Sequence, residues 1–235
     1  MKSSGNPGRV AGFWYLLLVL IGPLRLMYIP NKLFVHGDAA ATAANVAAHE
    51  RLLRFGIAAD LAGAVVIVFL GLAFYRLFVA VDRDLAVQVV IFGGIMPAVL
   101  YLVSVVCDLN ALTLIRRTDF LSVFDTAQRE ALAMFFLVMR DHQNTAAEIL
   151  WGVWLLPLAM LVYRSRFLPR FLGAWLFING IAYIAVSLIG VMWPQYQGKA
   201  FNWSQPALFA EIVLMLWLLI KGAKPQAGAS AVSTI

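Results

Sequence analysis

Five ionisable residues lie inside stretches of the sequence that are otherwise apolar, and their types are the ones best suited to chemistry. They are Arg25, Asp60, Asp108, Glu148 and Glu211. On insertion scales, one such residue at the centre of a membrane helix costs about 2.5–3.5 kcal/mol. Carboxyl groups at that depth are typical of acid–base, ion-binding and proton-transfer sites. The five residues therefore define the candidate site.

The elements that must position these residues follow from the composition. Hydrophobic residues make up 63% of the 235-residue chain and charged residues only 13%, and the mean hydropathy is +0.85. A soluble domain carries roughly 25% charged residues, and no soluble fold of this size buries so much apolar surface. The sequence predicts an all-α, polytopic membrane protein, and it excludes a soluble single-core enzyme, a disordered chain and a collagen-like fibre.

Six apolar stretches approach the roughly 20 residues that a helix needs to cross a bilayer. We expect membrane helices at residues 11–29, 55–75, 85–108, 144–163, 171–193 and 206–220. Pro30 is expected to end the first of them. Asp38 is expected to cap a helix that starts at Ala39 and continues towards the second. Residues 127–139 are expected to form a short amphipathic helix outside the membrane.

The distribution of charge predicts that both chain ends are cytoplasmic. With the N-terminus inside, the cytoplasmic pieces carry nine basic and two acidic residues, and the external pieces carry eight basic and six acidic ones. Basic residues beside the ends of spans favour the cytoplasmic side, so the net charge of +6 indicates membrane anchoring and no nucleic-acid partner. The expected organisation is a cytoplasmic N-terminus (1–10), a single transmembrane bundle (11–222) and a disordered cytoplasmic tail (223–235).

In this topology the five ionisable residues share one depth, in the outer third of the membrane. Helical spacing adds polar and aromatic neighbours to their faces. They are Asn45, His49 and Gly56 with Asp60, Tyr101 and Ser104 with Asp108, Asn144 and Trp151 with Glu148, and a stripe of Asn179, Tyr183 and Ser187, with Trp154 as a further aromatic wall. We expect these residues to line one pocket that opens to the outside. Four acids against Arg25 leave an excess of negative charge, which protonation, a cation, His49 or His142 must balance.

Structural interpretations of the same residues stay open. Asp108 and Glu148 can be interfacial residues that reach lipid headgroups and water. Arg25 can form a purely structural ion pair with Asp60 or with Glu211. Asp60 and Glu211 lie deeper than the other acids, and they are the hardest to explain without a function.

Several site types are absent from the sequence. The single cysteine, Cys107, excludes an intramolecular disulfide and cysteine-rich metal clusters. The chain has no Walker loop, no GxSxG motif and no HExxH motif.

Four segments carry a resemblance to a known family. They are residues 37–45 (GDAAATAAN), residues 53–61 (LRFGIAADL), residues 163–173 with YRS and LPRFLG, and Glu211 ahead of Trp217 and Leu218. Together they resemble the bacterial membrane family called domain of unknown function 4386, over about residues 9–222. The resemblance implies a polytopic protein of the bacterial inner membrane, and it implies no activity.

The residues support four hypotheses about function. The first is a membrane-embedded enzyme or binding protein for an isoprenoid or a lipid, in which Asp60, Glu148 and Glu211 carry the acid–base chemistry. Its substrate would contact Arg25, Tyr101, Asp108, Trp151, Asn179 and Tyr183. The second is a divalent-metal protein that joins His49 or His142 to the acids. The third is a proton- or ion-coupled transporter, and the fourth is a non-catalytic partner subunit. Membrane lipids and a hydrophobic small molecule are the expected partners.

Overall fold

The computed structural model describes residues 6–116 and 118–224, and this part of the chain is mainly helical and contains no strand. The α-helices are α1 (Pro7–Pro23), α2 (Ile29–Leu33), α3 (Ala39–Ala48), α4 (Glu50–Phe78), α5 (Arg83–Val90), α6 (Met96–Ile115), α7 (Thr126–Arg164), α8 (Arg170–Met192) and α9 (Gln197–Ile220). Short 3₁₀ turns at Asp119–Leu121 and Pro194–Tyr196 precede α7 and α9.

Six continuous helical segments are long and apolar enough to cross a membrane, as the sequence predicts. They are Pro7–Leu33, Glu50–Phe78, Arg83–Ile115, Thr126–Arg164, Arg170–Met192 and Pro194–Ile220. The all-α, six-span prediction is therefore confirmed. The orientation with both ends inside stays a prediction. Residues 1–5 and 225–235, at the two predicted cytoplasmic ends, lie outside the described residues.

The alanine-rich helix α3 begins where its capping residue predicts. The Asp38 side chain accepts a hydrogen bond of 2.8 Å from the Ala41 backbone N–H, which satisfies one of the free donors of the first turn. The helix ends at Ala48, because His49 leaves the helical region with φ −119° and ψ 34°. The expected continuation into α4 is wrong, so Asn45 and His49 do not share one continuous helical stripe with Gly56 and Asp60.

Residues 127–139, expected to form a separate amphipathic helix, are instead the first third of α7. This helix runs unbroken for 39 residues from Thr126 to Arg164. The polar stretch at residues 140–143 that separates the two predicted helices contains neither glycine nor proline, and polar residues alone do not end a helix. The prediction of a separate short helix is therefore wrong.

Two π-helical stretches interrupt the first and third spans, and a proline follows each of them. Leu24–Tyr28 precedes Pro30, and Ile91–Ile95 precedes Pro97. In each, the N–H just before the proline donates to the carbonyl five residues back, Ile29 to Leu24 and Met96 to Ile91. A proline has no N–H and clashes with the carbonyl four residues back in an α-helix, and the wider π turn removes that clash. Pro30 therefore does not end the helix, which continues to Leu33.

The chain forms two compact units, each with its own core. Unit 1 comprises residues 6–17, 66–97 and 146–224, and unit 2 comprises residues 18–65 and 98–145. In unit 1, the Tyr15 ring packs edge-on against Phe74 and Trp154, with centroid distances of 5.8 and 6.2 Å. In unit 2, a cluster of buried aliphatic residues includes Ile29, Leu33, Val46, Leu53 and Leu112.

Candidate functional site

Three of the predicted site residues meet in unit 2 around one guanidinium group. Arg25 Nη2 donates hydrogen bonds to Asp60 Oδ2 at 2.5 Å and to Asp108 Oδ2 at 2.7 Å. The three residues are only 2%, 3% and 0% exposed. The Arg25–Asp60 ion pair, one of the structural alternatives open from the sequence, is thus present, and Asp108 shares the same nitrogen.

Arg140, which is not among the site residues predicted from the sequence, completes this network. Its side chain is 1% exposed, and its Nη2 donates a hydrogen bond of 2.9 Å to the Arg25 backbone carbonyl. Its Nε lies 3.6 Å from Asp108 Oδ1. Arg140 lies outside the fourth predicted span, which is expected to begin at residue 144. Arg140 lies four residues before Asn144 and therefore on the helical face expected for Glu148. This spacing could have indicated that Arg140 belongs to the site.

The proline after Arg25 explains why the Arg25 carbonyl needs a side-chain donor. Ile29 donates its N–H to the Leu24 carbonyl, five residues back. In the same pattern the Arg25 carbonyl would accept a hydrogen bond from the N–H of residue 30. Residue 30 is proline and has none. Because an unmatched buried carbonyl is costly, the bond from Arg140 stabilises the π-helical stretch that carries Arg25.

Glycine residues make room for this network. A Cβ atom built on Gly56, one turn before Asp60, would collide with Arg25 Nη1, so a larger residue there would displace the Arg25 side chain. A Cβ atom on Gly63 would lie 2.9 Å from the half-buried Tyr101 ring. Beside them, Ser104 donates a hydrogen bond of 2.7 Å to Gln143 Oε1. Gly56, Asp60 and Gly63 therefore present one face of α4 to the cluster.

A second polar cluster lies in unit 1 and is centred on Glu211. The Tyr15 hydroxyl donates to Glu211 Oε2 at 2.5 Å, and Asn179 Nδ2 donates to Oε1 at 3.1 Å. The Tyr183 side chain is also close enough to interact with this carboxyl group. Tyr15 and Asn179 are buried, whereas Glu211 and Tyr183 are partly exposed. Tyr15 is not among the site residues predicted from the sequence, although a tyrosine hydroxyl within a span needs a polar partner.

Glu148 belongs to the same unit, but its carboxyl group has fewer hydrogen-bond partners than that of Glu211. It is 8% exposed, and its Oε2 has no hydrogen-bond partner among residues 6–116 and 118–224. One turn later on α7, the Trp151 ring contacts the Tyr183 ring edge-on, with centroids 5.8 Å apart. Tyr183 interacts electrostatically with both Glu148 and Glu211. Two carboxyl groups thus lie around one tyrosine.

The two clusters differ in their balance of charge. The unit 2 cluster pairs two arginines with two aspartates. The ion pairs within the described part of the chain include neither Glu148 nor Glu211. The carboxyl groups of Glu148 and Glu211, which lie outside these ion pairs, both belong to unit 1.

Comparison with known proteins identifies the family. Residues 10–222 match the family described as domain of unknown function (DUF4386). The chain belongs to the DUF4386 family. An uncharacterised protein of Archaeoglobus fulgidus is similar to it, with 27% identity over 150 residues that cover 63% of this chain and 82% of that protein. No solved structure matches the chain.

In this DUF4386 protein the two histidines predicted as metal ligands both belong to unit 2. His49 and His142 are exposed. Within residues 6–116 and 118–224, no group of three or more His, Cys, Asp or Glu side chains is arranged to hold a metal ion. Metal binding therefore stays a prediction, and no such group of side chains in the described residues supports it.

The structure thus distributes the predicted site residues of the DUF4386 chain over two clusters. Unit 2 holds Arg25, Asp60, Tyr101 and Asp108, and unit 1 holds Glu148, Trp151, Asn179, Tyr183 and Glu211. The expectation that all of them line one external pocket stays a prediction. The two residues that sequence reasoning missed are Arg140 in the first cluster and Tyr15 in the second.

Proposed function

We propose that this protein is a membrane-embedded enzyme or binding protein for a hydrophobic molecule, an isoprenoid or a lipid, with Glu211 as its acid–base group. One observation carries the proposal: the Glu211 carboxyl group is held by the neutral side chains of Tyr15 and Asn179, outside the described ion pairs, and is partly exposed. An unpaired carboxylate is costly at membrane depth, so such a group exchanges a proton or takes a cation.

The neighbours of Glu211 suit this role. Tyr15 and Asn179 fix the two carboxyl oxygens, and a fixed geometry makes proton transfer efficient. The Tyr183 and Trp151 rings can stabilise positive charge that develops on a substrate after protonation, through the faces of their π systems. Glu148 supplies a second carboxyl group near Tyr183. Asp60, in contrast, is ion-paired with Arg25, so we assign it a structural role.

Chemical labelling tests the proposal. Carbodiimides react with protonated carboxyl groups, and a lipid-soluble reagent such as dicyclohexylcarbodiimide reaches them from the apolar phase. We expect Glu211 to be labelled in the detergent-purified protein and geranylgeraniol to reduce that labelling. Peptide mass spectrometry measures both effects at each site.

The same sample contains its own controls. Asp60 is buried and ion-paired, so it should stay unlabelled. Glu50 is held by Arg54 and Arg116 at the protein surface, and geranylgeraniol should not change its reactivity. An unreactive Glu211, or one whose labelling geranylgeraniol leaves unchanged, would contradict the proposal.

A second candidate function is proton-coupled transport, which the placement of Tyr183 between electrostatic contacts with Glu148 and Glu211 favours. Carboxyl groups near a tyrosine hydroxyl can take part in proton relays of the kind found in other membrane proteins. In proteoliposomes with a pH-sensitive dye inside, this candidate predicts a proton flux that both Glu148→Gln and Glu211→Gln abolish. The enzyme or binding role predicts no flux from the wild-type protein.

We further propose that the protein works in the bacterial cytoplasmic membrane with both chain ends inside. The support is the set of basic residues in the short predicted cytoplasmic connections, including Arg76, Arg83, Arg164, Arg166 and Arg170. Membrane lipids are then the immediate surroundings of every span.

A further inference from the structure

An open groove of about 590 Å³ lies between α7 and α8 in unit 1, apart from the Glu211 cluster. Its lining residues are Ala159, Met160, Tyr163, Arg164, Gly173, Ala174, Phe177 and Ile178. Apart from Arg164 and the Tyr163 hydroxyl, these side chains are apolar. A volume of this size is typical of small-molecule sites.

Small residues create the groove. A Cβ atom on Gly173 would lie 2.8 Å from both the Ala159 carbonyl oxygen and the Tyr163 backbone nitrogen, so the two helices approach each other closely here. Ala159 and Ala174 leave the space beside that contact unfilled, and the larger side chains of Phe177 and Ile178 form an exposed apolar flank. The groove thus extends over about two helical turns, directly beside the α7–α8 connection.

Basic residues lie at the end of the groove beside the α7–α8 connection, which we call its mouth: Arg164 is in the lining, Arg170 contacts the lining residue Tyr163, and Arg166 lies between them in sequence. Arg164, Arg166 and Arg170 lie within seven residues of sequence and are all exposed. Arg164 is bound to Asp82 at 2.8 Å, and the Arg170 guanidinium group lies over the Tyr163 ring, 5.5 Å from its centroid. Arg166 is in none of the ion pairs of the described chain. A guanidinium group stacked on a ring keeps its in-plane N–H donors, which suit phosphate oxygens.

We propose that this groove binds an anionic phospholipid, with an acyl chain against Ala174 and Ile178 and the phosphate at Arg166 and Arg170. The apolar floor matches the chain, and the uncompensated positive charge at the mouth matches a headgroup with a net negative charge. Basic pockets between membrane helices bind anionic headgroups in this way. A zwitterionic lipid has the same acyl chains but no net charge, so its headgroup is attracted less strongly by the arginines.

Native mass spectrometry of the full chain with added lipid tests this inference. The probes are dioleoylphosphatidylglycerol, which is anionic, and dioleoylphosphatidylcholine, which is zwitterionic. We expect the wild-type protein to retain phosphatidylglycerol preferentially. The double variant Arg166→Gln/Arg170→Gln should lower that retention by on the order of tenfold, since each basic residue near an anionic headgroup contributes to binding. Ala174→Trp, which fills the groove, should lower retention of both lipids.

The matched control is Arg76→Gln/Arg83→Gln, which removes two exposed arginines of unit 1 from α4 and α5, whereas the groove is lined by α7 and α8. It should leave the preference for phosphatidylglycerol unchanged. Equal retention of the two lipids by the wild-type protein would overturn the inference, and so would an equal loss in both double variants. If Ala174→Trp retained both lipids as well as the wild-type protein does, the groove would not be the binding site.

Discussion

Replacing Arg25 by methionine is expected to lower the free energy of unfolding by about 3–5 kcal/mol, because it leaves Asp60 and Asp108 buried with insufficient positive charge. Methionine keeps the apolar stem and removes the nitrogen that bonds both carboxylates. Circular dichroism during a titration of sodium dodecyl sulfate into mixed micelles measures the change. The expected loss is a large share of the total stability of a protein of this size.

Two further variants show whether charge imbalance is the cause. Arg54→Met removes one of the two arginines that bind the partly exposed Glu50 side chain and should change stability little. Arg25→Met/Asp60→Asn removes a negative charge together with the positive one, so it should be more stable than Arg25→Met alone. A double variant that unfolds as easily as the single one would show that shape, and not charge, determines the effect.

Arg140→Met is also expected to cost about 3–5 kcal/mol, although the residue lies outside the spans predicted from the sequence. The substitution removes a positive charge 3.6 Å from Asp108 Oδ1 and the donor at 2.9 Å from the Arg25 carbonyl. The carbonyl then stays unmatched, because Pro30 has no N–H to offer. The same detergent titration measures the loss.

The role of the carbonyl can be separated from the role of the charge. Pro30→Ala introduces an N–H at the position that would match the Arg25 carbonyl. In this background Arg140→Met should cost less, by about 1–3 kcal/mol, which is the cost of one unsatisfied buried polar group. An Arg140→Met effect of equal size in both backgrounds would show that the bond to the carbonyl contributes nothing.

The contrast between the two clusters guides further work on function. Asp60 and Asp108 are compensated by arginines and almost fully buried, so we expect their substitution to affect stability first. Glu211 is held by neutral groups and is partly exposed, so we expect its substitution to affect chemistry first. Comparing unfolding with carbodiimide labelling in the same variants separates these effects.

The sequence by itself determined the class of protein and the number of spans. Six long apolar stretches can satisfy their backbone hydrogen bonds in a bilayer only as helices, and local signals such as Asp38 specify where α3 begins. Composition and spacing also singled out Arg25, Asp60, Asp108, Glu148 and Glu211, because charged residues are rare inside apolar helices. Each of them is part of a polar cluster or lies beside one.

Only the tertiary structure decided which partner each acid takes. Helical periodicity specifies a face of one helix, but the residue opposite that face depends on how neighbouring helices rotate and pack. Arg140 was missed because α7 begins 18 residues before the predicted span, and Tyr15 because its partner Glu211 is 196 residues away in sequence. Pro30 leaves the Arg25 carbonyl without a backbone N–H donor, and the Arg140 side chain of another helix supplies the donor. No local pattern in the sequence encodes such a pairing.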